Sequence, residues 1–188
     1  MRDIEIRQLL RSTQLSKYFA DSESKVVEEL KLPVAQARID IAVINGHLHG
    51  FEIKSAVDTL QRLPGQITAY TKIFDYLSIV TEGKYYQKIL DSTPDWISVY
   101  TCTEKAGKCK IVQVRSGSKN KNKEGFFIAK LLWREELIEV LTEQKISFKQ
   151  KERNWLLCEA LANNMTVPEL SKIVRTKLKQ RIDWKLDL

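Results

Sequence analysis

The chain has 188 residues, of which 43% are hydrophobic and 29% charged, and its formal net charge at pH 7 is +7. This composition is typical of a soluble globular protein with one domain and a small appendage, and the positive charge favours a polyanionic partner. Two histidines disfavour a zinc site, three cysteines predict reduced thiols in a cytoplasmic protein, and no segment has the roughly 20 apolar residues of a membrane span.

Helical and strand-like patterns alternate along the first two thirds of the chain. Alternation of this kind predicts a mixed sheet of about four strands flanked by helices, in the α/β class. In chain order, the predicted elements are helices at 3–11 (apolar face Ile4, Leu9, Leu10) and 22–31 (Val26, Val27, Leu30), strands at 38–44 and 47–55, a helix after Pro64, a strand at 76–81, a helix at 84–91, and strands at 96–101 and 110–115.

A predicted hairpin carries Asp40 on its first strand and Glu52 and Lys54 on its second. Glu52 and Lys54 are two residues apart, so their side chains leave the same face of the strand. A two-residue turn at 45–46 would place the two acids on opposite faces. A three-residue turn at 44–46, with Gly46 left-handed, would place them on one face. A site that uses both acids therefore requires an odd-numbered turn or a bulge.

These residues resemble the signature of PD-(D/E)XK nucleases, in which an acid is followed by a second acid and a lysine on the next strand. Asp40 is separated by eleven residues from Glu52-Ile53-Lys54, and Gln66 and Tyr70 match the QxxxY motif of the RecB-like branch. The wider stretch 38–70 is also similar to small bacterial proteins of mobile or defence-associated loci. One departure is Ile39, which stands where the family has proline.

The resemblance implies a magnesium-dependent nuclease, with DNA as a likelier substrate than RNA and manganese as a substitute metal. Asp40, Glu52 and the carbonyl of Ile53 would bind the metal, and Lys54 would orient the attacking water. Three further site residues are implied. Glu29 matches the acid of the family's first helix and would complete the metal shell. Gln66 would hold the lysine or the water in position, and Tyr70 would position the scissile strand. Glu28 is the neighbouring alternative to Glu29.

Basic residues concentrate beyond the hairpin. Residues 105–123 include seven basic side chains and no acidic one, which favours an arm that follows phosphates over an ordinary solvated loop. A basic face on the last predicted helix is as consistent with a packed helical cap as with DNA binding. The predicted nucleic-acid contacts are Arg62, Lys119, Lys121, Lys123, Lys172, Arg175 and Lys179.

Three regions follow from these patterns: a nuclease core at 1–115, a basic linker loop at 116–125 and a helical extension at 126–188. Within the extension, helices are predicted at 126–144, 152–163 and 167–181, the last one starting with a capping box at Thr166 and Glu169. Alternative functions are a non-catalytic nucleic-acid-binding module, or a structural subunit of a defence or repair complex, with the same fold. The expected partners are DNA and a protein that supplies target specificity.

Overall fold

The protein, described here from a computed structural model covering residues 1–105 and 108–182, alternates helices and strands as predicted. The elements are α1 (Asp3–Ser12), α2 (Ser16–Ala20), β1 (Lys25–Lys31), β2 (Arg38–Ile44), β3 (Leu48–Lys54), α3 (Leu63–Thr71), β4 (Tyr76–Glu82), α4 (Tyr86–Ser92), β5 (Ser98–Lys105), β6 (Lys108–Arg115), α5 (Gly125–Ala129), α6 (Arg134–Glu143), α7 (Asn154–Asn164) and α8 (Val167–Gln180). Within this described part, no helix is long and apolar enough to cross a membrane.

The strands form one mixed sheet in the order β1-β2-β3-β4-β5-β6. Strands β3, β4 and β5 are parallel, and the outer pairs β1–β2, β2–β3 and β5–β6 are antiparallel. Parallel neighbours require crossover connections, which α3 and α4 provide. The α/β class with a mixed sheet and flanking helices is confirmed, but the sheet has six strands rather than about four.

Each face of the sheet has its own apolar core. The smaller core lies under α1 and α2 and includes Ile6, Leu10 and Phe51. The larger core lies on the other face and continues from sheet residues such as Ile44 into the C-terminal helices, for example at Leu170. The predicted helical extension therefore shares its packing with the sheet. Ile4, predicted to lie on the buried face of α1, is 55% exposed.

The prediction of a helix at 22–31 is wrong, because residues 25–31 form the edge strand β1. Its buried residues Val27 and Leu30 are three apart, a spacing that imitates a helical face. The spacing arises because Glu29 has a φ of 56°, which interrupts the two-residue alternation of the strand. Glu29 is therefore placed by a strand, and the expectation that it ends the first core helix is corrected.

The odd-numbered turn in the hairpin is confirmed, although it lies one residue later than predicted. Ile44 pairs with Leu48, which leaves Asn45, Gly46 and His47 as the turn. The Asn45 side-chain oxygen accepts a hydrogen bond from the His47 amide at 2.9 Å, an arrangement that closes the turn. The left-handed conformation predicted at this turn is not found at Gly46, where the backbone φ lies outside that region.

The segment predicted as a basic linker, 116–125, is an ordered strap that crosses the end of the sheet. A Cβ atom at Gly117 would lie 2.2 Å from the Trp96 carbonyl oxygen, so only glycine fits this close approach. Further along, buried Asn120 donates to the carbonyl oxygens of Thr71 and Phe74 at 2.6 and 2.9 Å. The strap is thereby fixed to the end of α3 and to the turn that follows it.

The helices predicted at 126–144, 152–163 and 167–181 are found with one difference. Residues 126–144 form two helices, α5 and α6, separated by Lys130–Trp133. The predicted capping box of α8 is present, since Thr166 accepts from the Glu169 amide and Glu169 accepts from the Thr166 amide at 3.0 Å. The sequence also predicts an Ala-Gly-Lys turn at 106–108 before the last strand, and residues 106 and 107 of this turn lie outside the described residues.

We expect the Asp75→Asn substitution to destabilise the fold by about 3 kcal/mol at neutral pH, because it removes a buried partner of two cations. The Asp75 carboxylate lies 2.6 Å from Lys123 Nζ and 3.7 Å from Arg175. Burial alone would raise the pKa of Asp75, but Lys123 and the Leu48 amide outweigh it, so the net pKa lies below the ordinary value of 3.8.

A carboxylate with a lowered pKa stabilises the fold above its unfolded pKa and loses that effect as the pH falls through its folded pKa. The stability difference between wild type and Asp75→Asn should therefore be constant near neutrality and shrink below about pH 4. Urea unfolding at a series of pH values measures it, with exposed Asp91→Asn as the control. A difference that does not change with pH would contradict the assigned ion pairs.

Candidate active site

The predicted site residues come together where β2 and β3 part. The β2–β3 ladder ends at the pair Ile41–Phe51. Beyond it, the Asp40 carboxylate, rather than a backbone carbonyl, accepts the Ile53 amide hydrogen at 2.6 Å. The backbone carbonyl of Asp40 accepts from Arg7 at 3.0 Å. Side chains thus satisfy the Ile53 amide and the Asp40 carbonyl where the regular pairing of β2 and β3 ends.

Glu52 is the most completely enclosed of the predicted acids, at 3% exposure. Its Oε1 atom lies 2.5 Å from Lys54 Nζ and accepts from the Gln66 side-chain amide at 2.8 Å. Gln66 also accepts from Lys54 at 3.0 Å through its own oxygen. The three polar side chains therefore form a closed ring of hydrogen bonds, in which Gln66 holds both the acid and the lysine.

Tyr70 lies against the other oxygen of Glu52, at 2.7 Å from Oε2. Burial and the charge of Glu52 raise the pKa of Tyr70 far above its ordinary value, so the side chain is a neutral phenol and a hydrogen-bond donor. The Arg38 carbonyl oxygen is also within reach, at 2.8 Å, but the single phenol proton can be donated to one acceptor at a time. The charged carboxylate is the stronger acceptor of the two.

The environment of Asp40 disfavours its charged form. Burial and the charge of Glu52 raise the pKa of Asp40 to about 7, although the Ile53 amide and Arg7 act in the opposite direction. A cation near both carboxylates would offset the cost of burying them and their mutual repulsion.

The described residues include no group of three or more His, Cys, Asp or Glu side chains arranged to hold a metal ion. The carboxylate of Glu29, the third predicted acid, forms salt bridges with Arg7 at 2.8 Å and with Arg38 at 2.7 Å. Asp40 and Glu52 are therefore the two acids that could hold a metal directly, and Ile53 contributes its amide to Asp40.

Arg7 of α1 is a central residue of this site that the sequence analysis did not identify. Its guanidinium group lies near Asp3 at 3.3 Å, Glu29 at 2.8 Å, Asp40 Oδ1 at 3.4 Å and Glu28 at 3.8 Å. Burial lowers the pKa of Arg7, but these carboxylates raise it by more, so the net shift is upward. In the sequence, Arg7 is one arginine on the polar side of a helix, and no motif marks it as a site residue.

These residues, apart from Glu28 and Tyr70, line one cleft with a volume of about 1440 Å³. Its walls come from α1 and the residue before it, from the segment joining β1 to β2, and from the segment joining β3 to α3. The acids lie at the bottom of the cleft, and exposed basic residues lie around its mouth. The basic residues that line it are Arg2, Arg7, Lys31, Arg38, Lys54 and Arg62.

The predicted nucleic-acid contacts divide into two groups. Arg62 lines the cleft, and Lys119, Lys121 and Lys172 are exposed elsewhere. Others are bound within the protein: Lys123 and Arg175 pair with Asp75, and Lys179 pairs with Glu23 at 3.1 Å. The expectation that Lys123 follows phosphates is corrected, because its side chain is 9% exposed and attaches the strap to the core.

We expect the Lys54→Met substitution to destabilise the protein by about 3–5 kcal/mol, because it leaves the buried Glu52 carboxylate without its cation. The double variant Glu52→Gln/Lys54→Met should recover most of this loss, since it buries no charge. Urea unfolding of the single and double variants measures the effect. Lys179→Met removes a lysine from a largely exposed pair and serves as control, with an expected cost below about 1 kcal/mol. Equal losses in the single and double variants would contradict the buried pair.

Comparisons with known proteins place the chain in a family. A curated relative, protein cII of Enterobacteria phage P4, is 27% identical over 162 residues, which cover 85% of this chain and 60% of the relative's length. A solved structure of a protein of unknown function from Silicibacter pomeroyi has 17% identity and a TM-score of 0.44, covering 80% of this chain and 100% of that one. The family model described as bacteriophage P4 protein cII matches residues 2–187, so the chain belongs to that family.

Proposed function

We propose that this protein is a metal-dependent nuclease that hydrolyses phosphodiester bonds, in DNA in preference to RNA. The observation that carries the proposal is the recessed pair of acids, Asp40 and Glu52, with Lys54 held 2.5 Å from Glu52 at the bottom of a basic-lined cleft. Phosphodiester hydrolysis requires a cation, an activated water and a positive charge near the phosphate. The recess offers side chains for each of these requirements.

The chain's own residues have distinct roles in this proposal. Asp40 and Glu52 would hold the metal, a hard magnesium or manganese ion, together with the Ile53 carbonyl. Such an ion supplies Lewis-acid polarisation of the phosphate and lowers the pKa of a bound water. Lys54 presents an ammonium group to the developing phosphate charge and to the attacking water. These roles use oxygen ligands and a lysine, which is the donor set that the fold brings together.

Gln66 and Tyr70 would act by orientation. Gln66 contacts both Glu52 and Lys54, so it fixes their relative position before substrate arrives. Tyr70 donates to Glu52 Oε2 and leaves Oε1 toward the lysine, which sets the orientation of the carboxylate. Glu29 would contribute through Arg7 and Arg38, both of which it contacts, rather than by direct metal ligation.

A second candidate is a nucleic-acid-binding module that does not cleave. One observation favours it: each acid of the cleft already contacts a cation of the protein, Asp40 through Arg7 and Glu52 through Lys54. A charge-balanced cluster of this kind is stable without a metal ion. In this case the cleft would bind nucleic acid through its basic mouth, alone or with a partner protein that supplies target specificity.

We expect Asp40→Asn to lower the cleavage rate at least about 100-fold, because it removes a metal ligand and its charge. The asparagine oxygen can still accept the Ile53 amide, so the fold should remain intact, which thermal unfolding checks. The assay incubates linear and circular DNA, and RNA, with the purified protein in magnesium, in manganese or in chelator.

The matched control is Asp91→Asn, which makes the same chemical change on an exposed helix outside the cleft. It should cleave at the wild-type rate. Cleavage by Asp40→Asn at that rate, or cleavage in chelator, would refute the proposed mechanism. Binding of nucleic acid without cleavage in either metal would favour the non-catalytic alternative.

A further inference from the structure

The mouth of the cleft carries exposed arginines from three separate parts of the chain. Arg2 precedes α1 and has a side chain that is 82% exposed. Arg38 begins β2 and is 60% exposed, and Arg62, also exposed, caps the N-terminus of α3. All three line the same cleft as the recessed acids. Arg38 pairs with Glu29 at 2.7 Å, whereas Arg62 and the largely exposed Arg2 present positive charge above the recess to a polyanion that enters from outside.

Two large apolar side chains at the same mouth are exposed to water. Ile4 on α1 is 55% exposed, and Val57, in the segment between β3 and α3, is 82% exposed. Both line the cleft. Their segments run side by side, since the Ala56 amide donates to the Met1 carbonyl at 3.5 Å. An exposed apolar pair next to arginines is a surface for a ligand that has both charge and apolar faces.

Several basic residues outside the cleft bind groups of the protein itself. Lys123 and Arg175 are occupied by Asp75, and Lys179 by Glu23. Arg115 donates to the backbone carbonyl oxygens of Ile97, Leu90, Thr93 and Pro94 and is therefore part of the fold. These four basic side chains thus bind the protein itself, whereas Lys119, Lys121 and Lys172 are exposed.

We propose that the cleft mouth binds an unpaired strand of nucleic acid, with Arg2 and Arg62 at its phosphates and Ile4 and Val57 against its bases. This rests on the proposed function for the class of ligand and adds the form that the ligand takes. A duplex keeps its bases stacked inside, whereas an unpaired strand presents them to an apolar surface. Glu52, at 3% exposure, lies below the surface, so a strand must enter the cleft to reach it.

The two arginines are tested by neutral substitutions, which remove each positive charge without introducing a negative one. We expect Arg2→Gln/Arg62→Gln to weaken binding of a fluorescent oligothymidylate and to flatten its log-affinity against log-salt slope by about 1.4, the value for two phosphate contacts on a single strand. The control Lys149→Gln/Lys151→Gln removes the same charge from two exposed residues between α6 and α7, outside the cleft, and should leave the slope unchanged. All titrations are run in chelator, which prevents cleavage.

The apolar pair is tested in the same assay. Ile4→Ser/Val57→Ser should weaken binding of the oligothymidylate roughly 10-fold and binding of the matched duplex by much less. The control Val112→Ser/Val114→Ser changes two exposed valines of β6, which are 46% and 38% exposed, and should change neither affinity. Thermal unfolding verifies that all four double variants are folded.

The outcomes separate this inference from the proposed nuclease activity, because no step of the test measures cleavage. Wild-type protein that binds the duplex more tightly than the single strand would overturn the inference while leaving the nuclease proposal standing. An unchanged salt slope in Arg2→Gln/Arg62→Gln, or a slope flattened equally by Lys149→Gln/Lys151→Gln, would also overturn it. Tighter binding of the oligothymidylate than of the duplex, together with a flattened slope in Arg2→Gln/Arg62→Gln alone, would support it.

Discussion

The site depends on the hydrogen bond between the Asp40 carboxylate and the Ile53 amide. In a continuous antiparallel pair that amide would bond to a backbone carbonyl, and the two strands would remain about 5 Å apart. Here the Asp40 side chain takes the place of that carbonyl, and Arg7 donates a hydrogen bond to the backbone carbonyl of Asp40. The strands separate where Asp40 and Glu52 face each other, and the separation forms the bottom of the cleft.

The charges around this separation are closely balanced. Glu52 and Lys54 are both buried, and each would be costly to bury without the other. Burial and the nearby charge of Glu52 raise the pKa of Asp40, and the Ile53 amide and Arg7 offset only part of that effect.

The C-terminal helices support the site from the opposite end of the sheet. Asp75, at the start of β4, binds the strap through Lys123 and α8 through Arg175, and it accepts the Leu48 amide at 2.9 Å. Since Leu48 begins β3, this buried carboxylate ties the tail to the strand that carries Glu52 and Lys54. The basic residues of the tail consequently stabilise the fold, and the exposed charge that remains near the acids is at the cleft mouth.

The sequence by itself determined the alternation of helices and strands, the hairpin with its odd-numbered turn, and the grouping of Asp40, Glu52, Lys54, Gln66 and Tyr70. Those features depend on spacing along one or two neighbouring elements, where side-chain periodicity is a reliable guide. Tertiary structure alone decided that residues 25–31 form a strand, because the φ of Glu29 makes a strand imitate helical spacing. It also decided that Arg7 meets Asp40, 33 residues away, and that Lys123 binds Asp75 rather than solvent. Such pairings depend on which surfaces the packed helices bring together, and no local pattern of residues encodes them.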